Sequence, residues 1–360
     1  MEGKLTKESI DRLFRLAKKC QVDKILPKQL VNLIGDKYYN NPKRPCHYKE
    51  LFVQSTGDVY PCCRVWDRKD LRIGHITDLN LINKIKEFNP RACFCNKYSI
   101  RRANASDIQE FEYLNLELSL ACQARCAQCS VNAPSWHGNY NYYDNIEKLI
   151  LNLGEIEKIG FQGGEVLIQK KSLEFIENLR KKHLKNTLFH LITNGNVDTI
   201  SVEQVEMLFD SVTISIVGFQ KETYKKIMGL DLDKTISFAE TLIKRDVVEV
   251  SLKYLITPSN IHETNLFLNW ALKQAPSTSI QIVEIGLYDN YINTKTSDEY
   301  WNKILDRTTK DIHFELANAD ISKLRENGTV IIFKNMGKYQ ITREFICDNG
   351  LQGLVTEYDS

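Results

Sequence analysis

Residues 113–130 read YLNLELSLACQARCAQCS, and the reading of this stretch organises the rest of the chain. Leu114, Leu116, Leu118 and Leu120 alternate with other residues, which predicts a strand near 114–120 with one apolar face. The strand runs into Cys122, Cys126 and Cys129, spaced CxxxCxxC. A strand that stops at a cysteine loop can hold a metal centre at one end of a sheet. If the centre is a 4Fe–4S cluster, three thiolates leave one iron open to another ligand. Three thiolates also suit zinc, so the spacing alone leaves the metal open.

Beyond this loop, strands are predicted near 157–161, 188–193, 211–217, 248–256 and 279–286, with helices near 144–153, 170–183, 201–208, 233–245 and 261–274. Strand alternating with helix predicts an α/β fold with a parallel sheet and covering helices. The second strand ends in Gln162-Gly163-Gly164-Glu165. Paired glycines at a strand end let backbone approach a ligand closely, and the acid after them can accept from an ammonium group. The third strand ends in Thr193-Asn194-Gly195, the fourth carries Ser215 near its end, and the fifth carries Lys253. Further on, 298–327 is predicted helical, and 329–334 with 338–345 a hairpin around Asn335-Met336-Gly337. Cys347 follows that hairpin and is placed at one side of the sheet.

Together these motifs resemble the radical S-adenosylmethionine (radical SAM) superfamily. The resemblance implies a partial (β/α)6 TIM-like barrel with its chemistry at the C-terminal strand ends. It implies a 4Fe–4S cluster on Cys122, Cys126 and Cys129 whose open iron chelates S-adenosylmethionine. Gly163, Gly164 and Glu165 match the family's GGE(P) motif, which holds the methionyl amine; Val166 stands where proline is common. Asn194 lies in the family's TNG segment. Ser215 matches a ribose-binding hydroxyl, and Lys253 a partner for the methionyl carboxylate.

Upstream, two helical stripes over 5–36 precede a change of character at Cys46. Leu51 and Val53, the turn Ser55-Thr56-Gly57-Asp58, then Val59 and Tyr60 predict a β-hairpin. Ile73-Gly74-His75-Ile76 follows as a short strand or turn, then a helix over 77–88 capped by Thr77 or Asp78. Cys46, Cys62, Cys63, Cys93 and Cys95 surround these elements. Four of the five could saturate a second iron–sulfur cluster, and zinc suits the same thiols. Cys46, Gly57 and Cys62, with GDVYPCC and IGHI, resemble the SPASM and twitch accessory domains of radical SAM enzymes, placed here before the barrel. That resemblance implies an auxiliary 4Fe–4S cluster on Cys46, Cys62, Cys93 and Cys95, with Cys63 the alternate to Cys62. The domain division that follows is 1–45 helical segment, 46–110 auxiliary module, 111–290 partial barrel, and 291–360 C-terminal helices and hairpin.

No apolar run approaches the roughly 18 to 20 residues of a membrane span, and the charged N-terminus lacks a signal-type apolar core. A cytoplasmic location is expected, where ten clustered cysteines argue for metal rather than disulfides. Residues 1–102 hold 22 Lys and Arg against 11 Asp and Glu, and the remainder 26 against 35. The basic third faces something anionic, either a partner or the acidic part of its own chain.

The family resemblance implies reductive cleavage of S-adenosylmethionine to a 5′-deoxyadenosyl radical, which abstracts a substrate hydrogen. An electron donor of flavodoxin or ferredoxin type is the expected partner. The accessory module points to a ribosomal peptide as substrate. The alternatives are a small metabolite (sugar, nucleotide or antibiotic intermediate), RNA, for which the basic third and its tyrosines suit a phosphate backbone, or a non-catalytic metal-binding role.

Overall fold

The computed structural model describes residues 50–63, 69–88, 111–127, 129, 131, 133, 141–182, 186–198, 200–257, 259–274, 282–287, 298–326, 329–334 and 341–358. The expected helices over 5–36, and Cys46, Cys93 and Cys95, lie outside these residues.

The described strands are β1 (Glu50–Val53), β2 (Asp58–Tyr60), β3 (Gly74–His75), β4 (Phe111–Glu117), β5 (Ile156–Gln162), β6 (Leu188–Thr193), β7 (Ser211–Ile216), β8 (Glu249–Ile256), β9 (Ile282–Leu287), β10 (Val330–Lys334) and β11 (Val355–Tyr358). They form one sheet in the order β11-β10-β9-β8-β7-β6-β5-β4-β1-β2-β3. From β4 to β11 every neighbouring pair is parallel, and β1 joins β4 in parallel too. Only the β1–β2 and β2–β3 pairs are antiparallel, so among the described strands β2 alone runs against the others. Strands β4 to β9 are the six-strand repeat that the sequence predicts, in an open sheet extended at both edges.

The described α-helices are α1 (Leu81–Glu87), α2 (Tyr143–Leu153), α3 (Lys170–Lys182), α4 (Val202–Leu208), α5 (Lys221–Met228), α6 (Leu232–Arg245), α7 (Thr264–Lys273), α8 (Asp298–Ala317), α9 (Ile321–Glu326) and α10 (Arg343–Asp348). Alternate strand residues, among them Leu114, Phe161, Phe189, Ile214 and Leu252, are buried in the main core with Ile150, Ile176, Leu242 and Phe267 of the helices. Each such aromatic or aliphatic side chain contributes roughly 1.5–3 kcal/mol through burial. The other register positions carry polar residues: Asn115, His190, Thr213, Ser215 and Lys253.

The hairpin over residues 50–60 forms as expected, and it is not separate from the barrel sheet. Glu50 to Val53 pair residue by residue with Tyr113 to Leu116. At its tip the Ser55 amide and hydroxyl donate to Glu117 Oε1 at 3.1 and 2.7 Å.

Several boundaries differ from expectation. Helix α1 starts at Leu81 rather than Thr77, because the Asp78 carboxylate accepts from the His75 amide at 2.9 Å and so closes the preceding turn. The first barrel strand ends at Glu117; Leu118 and Leu120 are buried beyond the sheet. The helical stretch over 298–327 divides between α8 and α9. Among the described residues the second strand of the expected 329–345 hairpin is not seen. Thr342 caps α10 by accepting from the Phe345 amide, and β10 instead pairs in parallel with β9 and β11. A helix between two strands returns the chain to the same end of the sheet, which makes the second strand parallel. Cys347 therefore sits exposed on α10 rather than after a hairpin. Helix α5 is an addition; Tyr224, Ile227 and Met228 before Gly229 carry the helical spacing that predicts it.

Candidate active site

The strand β4 delivers the cysteine loop to the C-terminal edge of the parallel strands, where β5 and β6 deliver the Gly-Gly-Glu and Thr-Asn-Gly turns. The turns are bonded to one another. The Glu165 amide donates to the Ala121 carbonyl at 2.8 Å, beside Cys122. Gln169 Nε2 donates to the carbonyls of Ser119 and Ala121 at 3.2 and 3.0 Å. This close approach requires the two glycines. A Cβ on Gly164 would lie 2.1 Å from the Ala121 carbonyl oxygen. One on Gly163, whose φ is +98°, would lie 2.8 Å from that of Ser119.

Glu165 is fully buried. Its Oε1 accepts from the Thr193 hydroxyl at 2.7 Å and the Leu167 amide at 3.1 Å, and its Oε2 from the Asn194 amide at 2.7 Å. Burial pushes this carboxyl above its ordinary range, while those donors pull it down. The expected acceptor of an ammonium group is therefore turned inward, binding the β5 turn to the end of β6. Asn194 is buried as well, and its Oδ1 accepts from the Asn196 amide and from Gln123 Nε2 in the cysteine loop.

Cys122, Cys126 and Cys129 are each half-buried. Desolvation pushes the Cys122 thiol up to about 11, with Glu165 and Cys129 adding to the rise. Desolvation pushes Cys126 up to about 12, helped by Cys122 and Cys129. Thiols this reluctant to ionise become thiolates when a cationic group takes them. The Ala133 amide already points at Cys129 Sγ, at 3.4 Å. Amide–sulfur contacts of this kind tune an iron–sulfur centre. Among the described residues, no three His, Cys, Asp or Glu side chains converge on one metal-ion position. A 4Fe–4S cluster spreads its thiolates over separate irons and needs no common centre, so the donor set fits the cluster.

Ser215 and Lys253 are half-buried neighbours in register on β7 and β8. Of the upstream thiols, Cys62 is buried with Phe52, Tyr60 and Leu71, and Cys63 is packed against that group. The Cys63 amide donates to Glu50 Oε1 at 3.3 Å. Because β2 reverses direction, these two residues lie toward the N-terminal ends of β1 and β4, away from Cys122. Sequence reasoning missed Gln123, Gln169, Tyr224 and Thr235, none of which belongs to a motif.

Residues 116–271 match the radical SAM superfamily. The matched stretch is under half of the chain, and it is similar to domains of the kind that carry a 4Fe–4S cluster and S-adenosylmethionine. Among curated relatives, a protein named "Probable GTP 3′,8-cyclase" from Sulfurisphaera tokodaii is 24% identical over 212 residues. That match covers 55% of this chain and 64% of the relative. One of the same name from Methanococcus maripaludis is 23% identical over 181 residues, covering 49% of this chain and 59% of the relative. The chain thus spans less than two thirds of the length of these relatives. Among solved structures, Streptococcus suis SuiB bound to S-adenosylmethionine is similar at 14% identity with a TM-score of 0.47, covering 74% of this chain and 59% of that one. Among the described residues, no helix is long and apolar enough to cross a membrane.

Proposed function

We propose that this chain is a radical enzyme that uses S-adenosylmethionine to remove a hydrogen from its substrate. The observation that carries this reading is the bonding of the cysteine loop to both neighbouring turns, through Glu165 N to Ala121 O and Gln123 Nε2 to Asn194 Oδ1. A loop that merely carried metal would need neither turn. Cys122, Cys126 and Cys129 would hold the cluster, and Ser215 and Lys253 are the polar groups assigned to the cofactor's ribose and carboxylate. When bound, cluster and S-adenosylmethionine supply the one-electron chemistry; the chain supplies orientation and exclusion of water. A reductant is required as partner.

The substrate we assign first is a peptide. This rests on the resemblance of the cysteine pattern over 46–95 to SPASM and twitch modules, with Cys46, Cys62 or Cys63, Cys93 and Cys95 holding an auxiliary 4Fe–4S cluster. A nucleotide is the second reading, favoured by the relatives named as GTP 3′,8-cyclases. Formation of 5′-deoxyadenosine from S-adenosylmethionine and dithionite tests the class. Fully reconstituted protein that yields none, with or without candidate substrates, overturns it. Stimulation by GTP with conversion of the nucleotide replaces the peptide by the second reading.

A further inference from the structure

The cysteine loop is held on a second side by residues that belong to no motif. Helix α5 ends at Gly229, whose φ is +70° and whose amide donates to Lys225 O at 2.8 Å. The last carbonyls of a helix have no partner within it. Here those of Met228 and Ile227 accept from the amides of Arg125 and Ala127, at 2.8 and 2.9 Å. These two bonds flank Cys126. One turn earlier on α5, the hydroxyl of Tyr224 lies 2.8 Å from Thr235 Oγ1 of α6. Thr235 Oγ1 also donates to the Asn194 carbonyl at 3.0 Å and accepts from Asn196 Nδ2 at 3.2 Å. Its single proton is committed to Asn194, so Tyr224 is the donor between the two hydroxyls. From Asn194 and Asn196 the path returns to the loop: Gln123 Nε2 donates to Asn194 Oδ1 and to the Asn196 carbonyl, at 3.3 and 2.8 Å.

We propose that the Thr235 hydroxyl closes this ring of contacts and is a positioning residue for the cluster ligands, gripping the cysteine loop through Gln123 on one side and through α5 on the other. The inference rests on the radical SAM reading of that loop. Thr235 and Tyr224 are both fully buried, so neither hydroxyl can exchange its partner for water. A threonine inside a helix commonly turns its hydroxyl back to a carbonyl of its own helix. This one is spent on the neighbouring strand and helix instead. Loss of the hydroxyl leaves the Tyr224 proton and the Asn194 carbonyl unmatched together, and both segments that brace the loop are released.

The test uses full-length protein reconstituted without oxygen, in wild-type form and as Thr235→Val, Thr235→Ser and Tyr224→Phe. Iron loss to a chelator is followed well below each variant's unfolding temperature. The electron paramagnetic resonance of the reduced cluster is recorded with and without S-adenosylmethionine. Thr235→Val is expected to lose iron about tenfold faster than wild type, in the range of outer-shell changes at metal sites. Tyr224→Phe follows in the same direction to a smaller extent. Thr235→Ser, which keeps the hydroxyl, returns to the wild-type rate and spectrum. Should Thr235→Val not fold, Tyr224→Phe decides, since its ring packing is kept. Wild-type iron retention in Tyr224→Phe and Thr235→Val, or equal losses in the serine and valine variants, overturns the proposal. A wild-type protein that takes up no iron overturns the radical SAM reading as well, so the two failures are told apart.

Discussion

The two described groups of thiols stand at opposite ends of the same strands and are built differently. Cys122, Cys126 and Cys129 occupy one short loop, set among polar turns that hydrogen-bond to it. Cys62 is instead packed among Phe52, Tyr60 and Leu71, with Cys63 against the same patch. Strand rise puts the two groups on the order of 15 Å apart or more. The first is a local site that distant residues brace. To hold the proposed auxiliary cluster, the second would need thiols distant in sequence to be brought to it. A lesion at one should therefore leave the other standing.

Substitution of the first group is the strongest way to break this comparison. Cys126→Ala is expected to abolish 5′-deoxyadenosine formation, and the triple alanine variant at 122, 126 and 129 to keep about half of the wild-type iron, as two clusters of equal size require. Iron and sulfide analysis after anaerobic reconstitution measures this. A triple variant empty of iron would remove the auxiliary cluster from the account.

The glycines sharpen the same contrast at a smaller scale. Gly164→Ala drives a Cβ against the rigid Ala121 backbone and is expected to cost about 2–3 kcal/mol and to impair iron binding at Cys122. Gly57→Ala meets the His75 ring and Tyr142 at a φ of +88°, so it strains the hairpin turn. It should lower the unfolding temperature while leaving the radical signal of the first cluster in place. Equal loss of 5′-deoxyadenosine in both variants would show that the hairpin and the cysteine loop act as one unit.

The braces themselves come next. Gln123→Ala removes both bonds to Asn194 and Asn196 and is expected to cost about 1–2 kcal/mol by chemical denaturation. A second variant at the hairpin tip, Ser55→Ala, leaves the buried Glu117 carboxylate with one donor fewer and should cost a similar amount. If the two regions are independent, the double variant shows the sum of the two losses.

What the sequence made legible follows the same division. The six βα repeats and the Cys, Gly-Gly-Glu and Thr-Asn-Gly turns are local signals, because apolar alternation and short spacing survive in one dimension. The β1–β4 pairing could not be read. It joins residues about sixty positions apart, and nothing in Glu50 to Val53 names its partner. The β10–α10–β11 unit was misread for a related reason. Asn335-Met336-Gly337 suggests a tight turn, yet Thr342 caps a helix a few residues later and the chain returns parallel. Glu165 was legible as a site residue but not in its orientation, which depends on Thr193 and Asn194 from the next strand. Thr235 and Tyr224 are ordinary helix residues until the fold places them together.

The smallest expected effect concerns a polar position on β6, outside both thiol groups. His190 on β6 lies between the hydroxyls of Ser211 and Thr213, at 2.8 and 3.2 Å. Burial holds its imidazole well below the ordinary histidine range, and the nearby Lys158 and Lys253 ammonium groups push it further down. The folded chain thus keeps this ring neutral while the unfolded chain protonates it near its usual value, about 6.5. Above that value the ring contributes no pH-dependent loss. As pH falls below it, the unfolded state binds a proton that the folded state refuses, and stability declines until the folded ring also titrates. His190→Gln removes this penalty while offering an amide to the same hydroxyls. Its unfolding temperature should fall less than that of wild type between pH 7 and pH 5.5, with cluster content unchanged at pH 7. Parallel decline of the two proteins would mean that the ring takes up its proton as readily in the folded chain as in the unfolded one, and that burial on β6 does not hold it neutral.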